Sequence, residues 1–565
     1  MPSGRSEAGW PAWRRAFPDA CDWDSDLEIG TLSDLLTAGC TASGGGPAIA
    51  FRDRQLSYPD LAIQADRLAA GLLAMGLAPD TVVALYLPNT PLHPIAFFAA
   101  ARAGLRVVLL SGLDAPRELA HKLTTTRARI VVTLDQPNYL AAALHFLDDG
   151  LIDTLVVAED RAWGPSTESQ PQALPQRPGV VPFARLLDAP APAAWPVRTP
   201  DDVFLLQFTG GTTGLPKAAM LTHGNLTAAV AIYRLWNNHT DVPSRDNRVV
   251  GILPLFHIYA LTAVLLCTIR DGGLILLHQR FDVEALAHDI AVKRATRVYG
   301  VPTMWFALLE RATRVPIDCS SLNLCMSGGA PLPFEAQARL GRVLGQPLQV
   351  GWGMTETAPA GTRVPDGAEA RPGLIGVPLP GIAMRIVALD DFSREVATGE
   401  VGEIAIRGPN VFLGYFEKPE ATREAFCDGW FLTGDIGRVD EDGLFDLIDR
   451  RKNMIISGGF NVYPTVIEDA IYEHPDVAEV IVIGVPDPYR GQSAKAFVTL
   501  RPGASPFDLA ALQAFLSDRI GRHEIPRGLE FRESLPRSPA GKLLASVLVA
   551  EETSRAAKGG GDGVR

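Results

Sequence analysis

The sequence predicts an α/β protein: a large N-terminal domain of several subdomains, one of them β-rich, followed by a small α+β C-terminal domain. Three observations carry that prediction. Between Val249 and Leu344 short apolar runs alternate with amphipathic ones, the mark of a parallel sheet covered by helices. After Pro378 the helical stretches give way to short strands joined by turn residues. At Asp449-Arg450-Arg451-Lys452-Asn453 a charged cluster separates two apolar segments, and the chain beyond it suffices for a compact domain of about 100 residues.

Taken in order, Val249 to Pro254 reads as a buried strand and Ala260 to Ile269 as a helix. Gly273 to Leu277 is the next strand and Val283 to Lys293 the next helix. Arg297 to Tyr299 is a short strand, and Pro302 opens a helix through about Arg311. Leu322 to Met326 and Pro333 to Leu344 repeat the strand–helix pair. In the β-rich part Ile382 to Ala388 and Gly402 to Arg407 are strands, with Asp428-Gly429 and Asp442-Gly443 as turns. Past the charged cluster come a helix from Val466 to Glu473, strands from Val480 to Val485 and Ala494 to Leu500, and a helix from Leu509 to Ile520. The Pro- and Ala-rich stretch Leu174 to Pro196 reads as a connection over the surface. The expected domains are 1–449 and 453–550, joined by 450–452, with 551–565 as a frayed tail.

The chain has 565 residues and a net charge of −12, which argues against a general nucleic-acid partner. Six cysteines contain no C-x-x-C pair, so neither zinc nor a disulfide framework is expected, and a reducing cytoplasm fits. The first residues lack an apolar signal core. The apolar stretch Val82 to Gly112 is interrupted by Pro88, Asn89, Pro91, His93, Pro94, Arg102 and Arg106. No run reaches the roughly 18 residues of a membrane span; peripheral membrane contact stays open, and oligomeric state is not legible.

Chemistry concentrates in a few stretches. Phe208-Thr209-Gly210-Gly211-Thr212-Thr213-Gly214-Leu215-Pro216-Lys217 supplies a bendable backbone, hydroxyl donors and a cation, a glove for a polyphosphate. It is not a Walker A loop, because Lys217 follows proline and precedes alanine. Gly351-Trp352-Gly353-Met354-Thr355-Glu356-Thr357 offers a flat aromatic face and a carboxylate suited to a hard cation; read alone, it is a core tryptophan and a solvated acid. Ser327-Gly328-Gly329-Ala330-Pro331-Leu332 reads as a tight turn between strand and helix, and Gly434-Asp435 as a turn. His257, in Pro254-Leu255-Phe256-His257-Ile258-Tyr259, reads alone as a satisfied core histidine. Ser457-Gly458-Gly459-Phe460 reads as a hairpin turn, and Lys542 as an exposed lysine.

In this order, from about Leu32 to Leu548, these stretches resemble the motifs of the adenylate-forming enzymes: acyl-CoA synthetases, luciferases and peptide-synthetase adenylation domains. The resemblance is strongest to bacterial medium- and long-chain fatty acyl-CoA or dicarboxylate-CoA ligases. It implies that Thr209, Gly210, Gly211, Thr212, Thr213, Gly214 and Lys217 hold the phosphates of ATP. It implies an adenine pocket lined by Gly351, Trp352, Gly329, Ala330 and Pro331, with Asp435 and Arg450 on the ribose. Thr355 touches the α-phosphate, and Glu356 and Thr209 ligate Mg²⁺. His257 stands where the acyl carboxylate approaches, and Tyr259, Val301, Gly328 and Gly353 border the acyl pocket. The Gly458-Gly459 loop forms the pantetheine tunnel for coenzyme A, Lys542 bridges carboxylate and α-phosphate, and Lys452 is the hinge of a mobile C-terminal domain. Where many members carry an arginine soon after this lysine, the chain has Leu543-Leu544-Ala545. The implied partners are a small carboxylic acid, ATP and coenzyme A. An acyl-AMP ligase loading a carrier protein, an aryl-CoA ligase, a luciferase-like oxidoreductase and a non-catalytic nucleotide-binding regulator are the alternatives.

Overall fold

The computed structural model describes Cys21 and residues 25–166, 173–209, 216–237, 243–330, 332, 334–369, 371–457, 460–487, 489–537 and 543–559. Every residue of the strands Val82–Tyr86 and Ile130–Leu134 is buried, which calls for cover on both faces. These strands belong to a seven-stranded sheet in the order Val180–Pro182, Thr154–Ala158, Ile130–Leu134, Val82–Tyr86, Arg106–Leu110, Val203–Phe208 and Ala218–Thr222. All its pairings are parallel except the last. A second seven-stranded sheet runs Gln349–Val350, Leu324–Ser327, Arg297–Gly300, Arg248–Gly251, Leu274–Leu277, Pro47–Phe51 and Arg54–Ser57. It too is parallel but for its final pair. The helix His223–Asn237 is buried over most of its length, and one apolar core joins it to both sheets through Leu85, Leu205, Ile232 and Ile275.

The β-rich part is an antiparallel sheet of Thr362–Arg363, Leu374–Pro378, Phe445–Arg450, Trp430–Val439, Gly402–Arg407 and Ala383–Val387. The C-terminal part is a five-stranded sheet built on the long hairpin Val477–Asp487 and Gly491–Leu500. The helix Pro464–Tyr472 buries Ile467 and Ile471 in a core shared with that hairpin.

The expected elements are present with altered ends. The strand expected to reach Pro254 stops at Gly251, because Asn89 captures the next backbone groups: its Nδ2 donates to the Leu253 carbonyl and its Oδ1 accepts from Leu255 N. The helix expected over Ala260 to Ile269 is a π-helix, Ala260–Leu266, continued by the α-helix Cys267–Asp271. The Leu174 to Pro196 connection carries a strand, Val180–Pro182, and a short helix whose Phe183 and Leu186 are buried. The tail expected from 551 is corrected: the helix Ala545–Gly559 runs through 550. Leu548 is buried with Ile481, Ile483 and Phe497, and Glu551 and Glu552 pair with Arg532 and Lys495, which holds the helix on the sheet.

Glu468 gives the C-terminal part a pH dependence. Its carboxylate accepts from Val482 N at 2.7 Å, yet burial pushes its pKa from 4.5 up to about 8, with Asp449 and Asp469 adding to the rise. The folded state therefore binds a proton that the unfolded state releases, so stability falls as pH climbs from about 4.5 to 8. Glu468→Gln is expected to flatten that fall in melting temperature. A tenfold change in proton affinity is worth about 1.4 kcal/mol, so the gain at the alkaline end is a few kcal/mol. An unchanged slope would show the carboxyl to be solvated.

Candidate active site

The parallel strands deliver the expected site residues at their C-terminal ends, where open α/β sheets bind ligands. Thr209 follows Val203–Phe208, Val301 follows Arg297–Gly300, Gly328 follows Leu324–Ser327, and Gly351 follows Gln349–Val350. The stretch expected to hold phosphates is clasped at its base: Thr209 N donates to the Lys217 carbonyl at 2.9 Å. Gly210, Gly211, Thr212, Thr213 and Gly214 lie outside the described residues, as do Pro331, Gly458, Gly459 and Lys542. The flanks of the last three are described: Ser457 pairs with Phe460, and Arg537 with Leu543.

Trp352, Asp435 and Arg450 are brought together. Trp352 Nε1 donates to Asp435 Oδ2 at 2.7 Å, and Arg450 Nε lies 2.9 Å from Asp435 Oδ1. Asp435 is 1% exposed, and its Oδ1 accepts no aligned hydrogen bond from a described residue. Trp352 thus has a positioning role that the sequence does not reveal: it orients this carboxylate. Arg451 takes a different partner, Glu403, at 2.6 Å, and Glu403 also accepts from Gly434 N at 2.8 Å.

Thr355 and Glu356 stand on the short 3₁₀ turn Thr355–Thr357. Glu356 is 5% exposed, and its Oε1 accepts from the Tyr415 hydroxyl at 2.9 Å. Burial raises the pKa of Glu356, offset in part by its own backbone N–H, Tyr415 and Arg450. Among the described residues no group of three or more His, Cys, Asp or Glu side chains could hold a metal by itself. The buried Glu356 carboxylate and the Thr209 hydroxyl are oxygen donors of the kind a hard cation takes, and a cation with so few protein ligands would need phosphate or water oxygens to complete its shell. Tyr415 is the residue that motif reading misses, since a tyrosine after glycine carries no chemical signal of its own.

Among the residues expected to border the acyl pocket, a Cβ placed on Gly328 would lie 3.0 Å from the Tyr259 ring, and one on Gly329 would lie 3.5 Å from Val301. The Tyr259 hydroxyl and the Ser327 hydroxyl beside Gly328 are buried without hydrogen-bond partners among the described residues. His257 is exposed, and its Nδ1 accepts from Tyr259 N at 3.3 Å, which places the proton of the neutral ring on Nε2. Gln207 Nε2 ties the loop before it by donating to the Phe256 carbonyl at 3.1 Å. Gly353 has a structural reason to be glycine: a Cβ there would fall 1.6 Å from the Pro359 carbonyl oxygen.

Lys452 is the middle residue of the 3₁₀ turn Arg451–Asn453. Asp449, 4% exposed, braces that turn. Its Oδ1 accepts from Arg450 N at 2.6 Å and Asn453 Nδ2 at 3.2 Å, while Oδ2 accepts from Thr465 N at 2.8 Å, in the first turn of Pro464–Tyr472. No helix among the described residues is long and apolar enough to cross a membrane.

Residues 37–416 match the family described as AMP-binding enzyme, and residues 466–542 match its C-terminal domain. The chain belongs to this family of adenylate-forming enzymes. Within the family it is an AMP-forming acid–CoA ligase that uses ATP. It is 34% identical over 554 residues to a long-chain-fatty-acid–CoA ligase of Bacillus subtilis, covering 96% of this chain and 98% of that one. It is 37% identical over 495 residues to a feruloyl-CoA synthase of an Amycolatopsis species, covering 86% and 92%. Among solved structures, ATP-bound MatB from Rhodopseudomonas palustris superposes with a TM-score of 0.80 at 28% identity, over 91% of this chain and 98% of that one. The Bacillus subtilis o-succinylbenzoate coenzyme A synthetase MenE, in complex with ATP and magnesium ion, gives 0.75 at 27% identity, over 90% and 98%.

Proposed function

We propose that this ligase activates a medium- or long-chain fatty acid, monocarboxylic or dicarboxylic, in two steps at the strand ends described above. The acid carboxylate attacks the α-phosphorus of ATP in line, giving acyl-AMP and pyrophosphate. The thiol of coenzyme A then attacks the acyl carbon, and AMP leaves. The observation that carries this reading is Asp435. A buried carboxylate, oriented by Trp352 and Arg450 and left with an oxygen lacking an aligned donor, fits the hydroxyls of a ribose.

Around that anchor the remaining roles follow. The Thr209–Lys217 clasp seats the phosphates, and Thr355 faces the α-phosphate. Glu356 and Thr209 hold Mg²⁺, which when bound offsets the charge of the triphosphate. Val301, Tyr259 and Gly328 wall the acyl chain, and His257 gates its carboxylate. Carboxylate and triphosphate repel one another, so positioning and electrostatics supply most of the acceleration. Lys542 and the Gly458-Gly459 loop, roughly eighty residues apart on one small domain, serve the first and second steps, which requires that domain to turn about Lys452.

Exchange of labelled pyrophosphate into ATP, scored over a panel of fatty, dicarboxylic and aryl acids, tests the reading. Thioester formation with coenzyme A is followed in parallel. Lys542→Ala is expected to cut exchange by about two to three orders of magnitude, as loss of a charge aimed at the transition state does, while acyl-AMP supplied ready-made is still converted to thioester. Equal loss in both half-reactions would reduce Lys542 to a structural residue. An aryl acid is the second reading, favoured by the Tyr259 hydroxyl, which is without a partner among the described residues, and by the likeness to a feruloyl-CoA synthase; the same panel separates the two.

A further inference from the structure

Tyr415 lies outside every stretch that the sequence reading selected, yet it touches two of them. Its hydroxyl donates to Glu356 Oε1 at 2.9 Å, and the Lys217 ammonium sits 4.9 Å from its ring centroid. One side chain therefore meets both the acid proposed for the cation and the lysine that closes the phosphate loop.

The backbone around Tyr415 is held from both directions. Leu413, Gly414 and Phe416 exchange hydrogen bonds with Ala218 and Met220, on the strand that leaves the phosphate loop: Leu413 N to Met220 O at 3.0 Å, Met220 N to Gly414 O at 2.9 Å and Phe416 N to Ala218 O at 2.8 Å. On the other side Phe412 N donates to the backbone carbonyl of Glu356 at 2.9 Å. Tyr415 N itself donates to Thr422 Oγ1 at 2.9 Å, and its ring packs edge-on against Phe412 with centroids 5.0 Å apart. A side chain braced in this way loses little freedom when it orients a neighbour.

A carboxylate buried at 5% exposure needs a donor on one oxygen to keep its charged form and a fixed direction. An exposed ammonium such as that of Lys217 likewise gains from an aromatic face beneath it. We propose that Tyr415 is a positioning residue of the metal–phosphate centre. Its hydroxyl takes one oxygen of Glu356 so that the other is left for the cation, and its ring seats Lys217 for the phosphates. The inference rests on the proposed assignment of Glu356 as the Mg²⁺ ligand.

The test is calorimetric titration of ATP into the full-length protein, with excess Mg²⁺ and with EDTA, for the wild type, Y415F and Y415L. Y415F keeps the ring and its packing on Phe412 but removes the hydroxyl. It is expected to weaken binding about tenfold or more with Mg²⁺, the scale of a lost hydrogen bond to a charged group, and to leave the EDTA value within about twofold. Y415L also removes the ring and is expected to weaken binding under both conditions, by about threefold or more with EDTA. Equal loss for Y415F in Mg²⁺ and EDTA, the pattern of a merely structural residue, overturns the proposal, and so does no loss at all. Wild-type affinity that ignores Mg²⁺ overturns the Glu356 assignment and the proposal with it; Mg²⁺-dependent wild-type binding with an unaffected Y415F overturns the proposal alone. Y415F decides the matter by itself should Y415L fail to fold.

Discussion

Glu356→Gln is expected to lower acid-dependent exchange of labelled pyrophosphate into ATP by about two to three orders of magnitude, the scale of removing a preorganised charge from a site that excludes water. Glutamine keeps the shape of the side chain and can still accept from Tyr415, so packing on the 3₁₀ turn is preserved. What it removes is the negative charge. At 5% exposure that charge acts with little screening by water. The loss should be accompanied by a rise in the Mg²⁺ concentration needed for half-maximal exchange. Exchange within tenfold of wild type at unchanged Mg²⁺ dependence would leave Glu356 as a buried acid satisfied by Tyr415 and remove it from the centre.

Lys452→Pro is expected to retain acyl-AMP formation and to lose thioester formation by more than about tenfold, because a hinge acts through a few residues that absorb large dihedral changes. Proline holds φ near −65° and takes away that freedom. The turn Arg451–Asn453 follows directly on the β-rich strand Phe445–Arg450. Asp449 reaches from that strand to Asn453 and to Thr465 in the first turn of Pro464–Tyr472, so a rotation about Lys452 is expected to release the Thr465 bond. Single-turnover assays of each half-reaction decide it. Undiminished transfer to coenzyme A in a folded variant would place the pivot elsewhere, with Lys452→Ala as the control that keeps backbone freedom.

The strand–helix alternation from Val249 to Leu344, the β-rich part after Pro378 and the α+β end were legible because amphipathic helices and turn residues punctuate the apolar runs there. The antiparallel return Ala218–Thr222 and the parallel strands Val82–Tyr86 and Ile130–Leu134 were not, since strands buried on nearly every residue carry no period of their own. The helix past residue 550 was missed for another reason. Its last turns are polar, and ion pairs of Glu551 with Arg532, Glu552 with Lys495 and Arg555 with Glu530 hold them down.

The sequence by itself determined the chemistry: the threonine- and glycine-rich loop, the Thr355-Glu356 pair, Gly434-Asp435, Arg450 and Lys542 are local signals whose order identifies the family. The tertiary structure alone decided which groups act on one another. That Trp352 spends its indole N–H on Asp435, that Arg451 turns to Glu403, that Asp449 reaches Thr465 and that Tyr415 joins Lys217 to Glu356 are pairings between residues 16 to 198 positions apart. No local pattern encodes such pairs. They arise where residues distant in the chain are buried together, because burial there presses each polar group to find a partner.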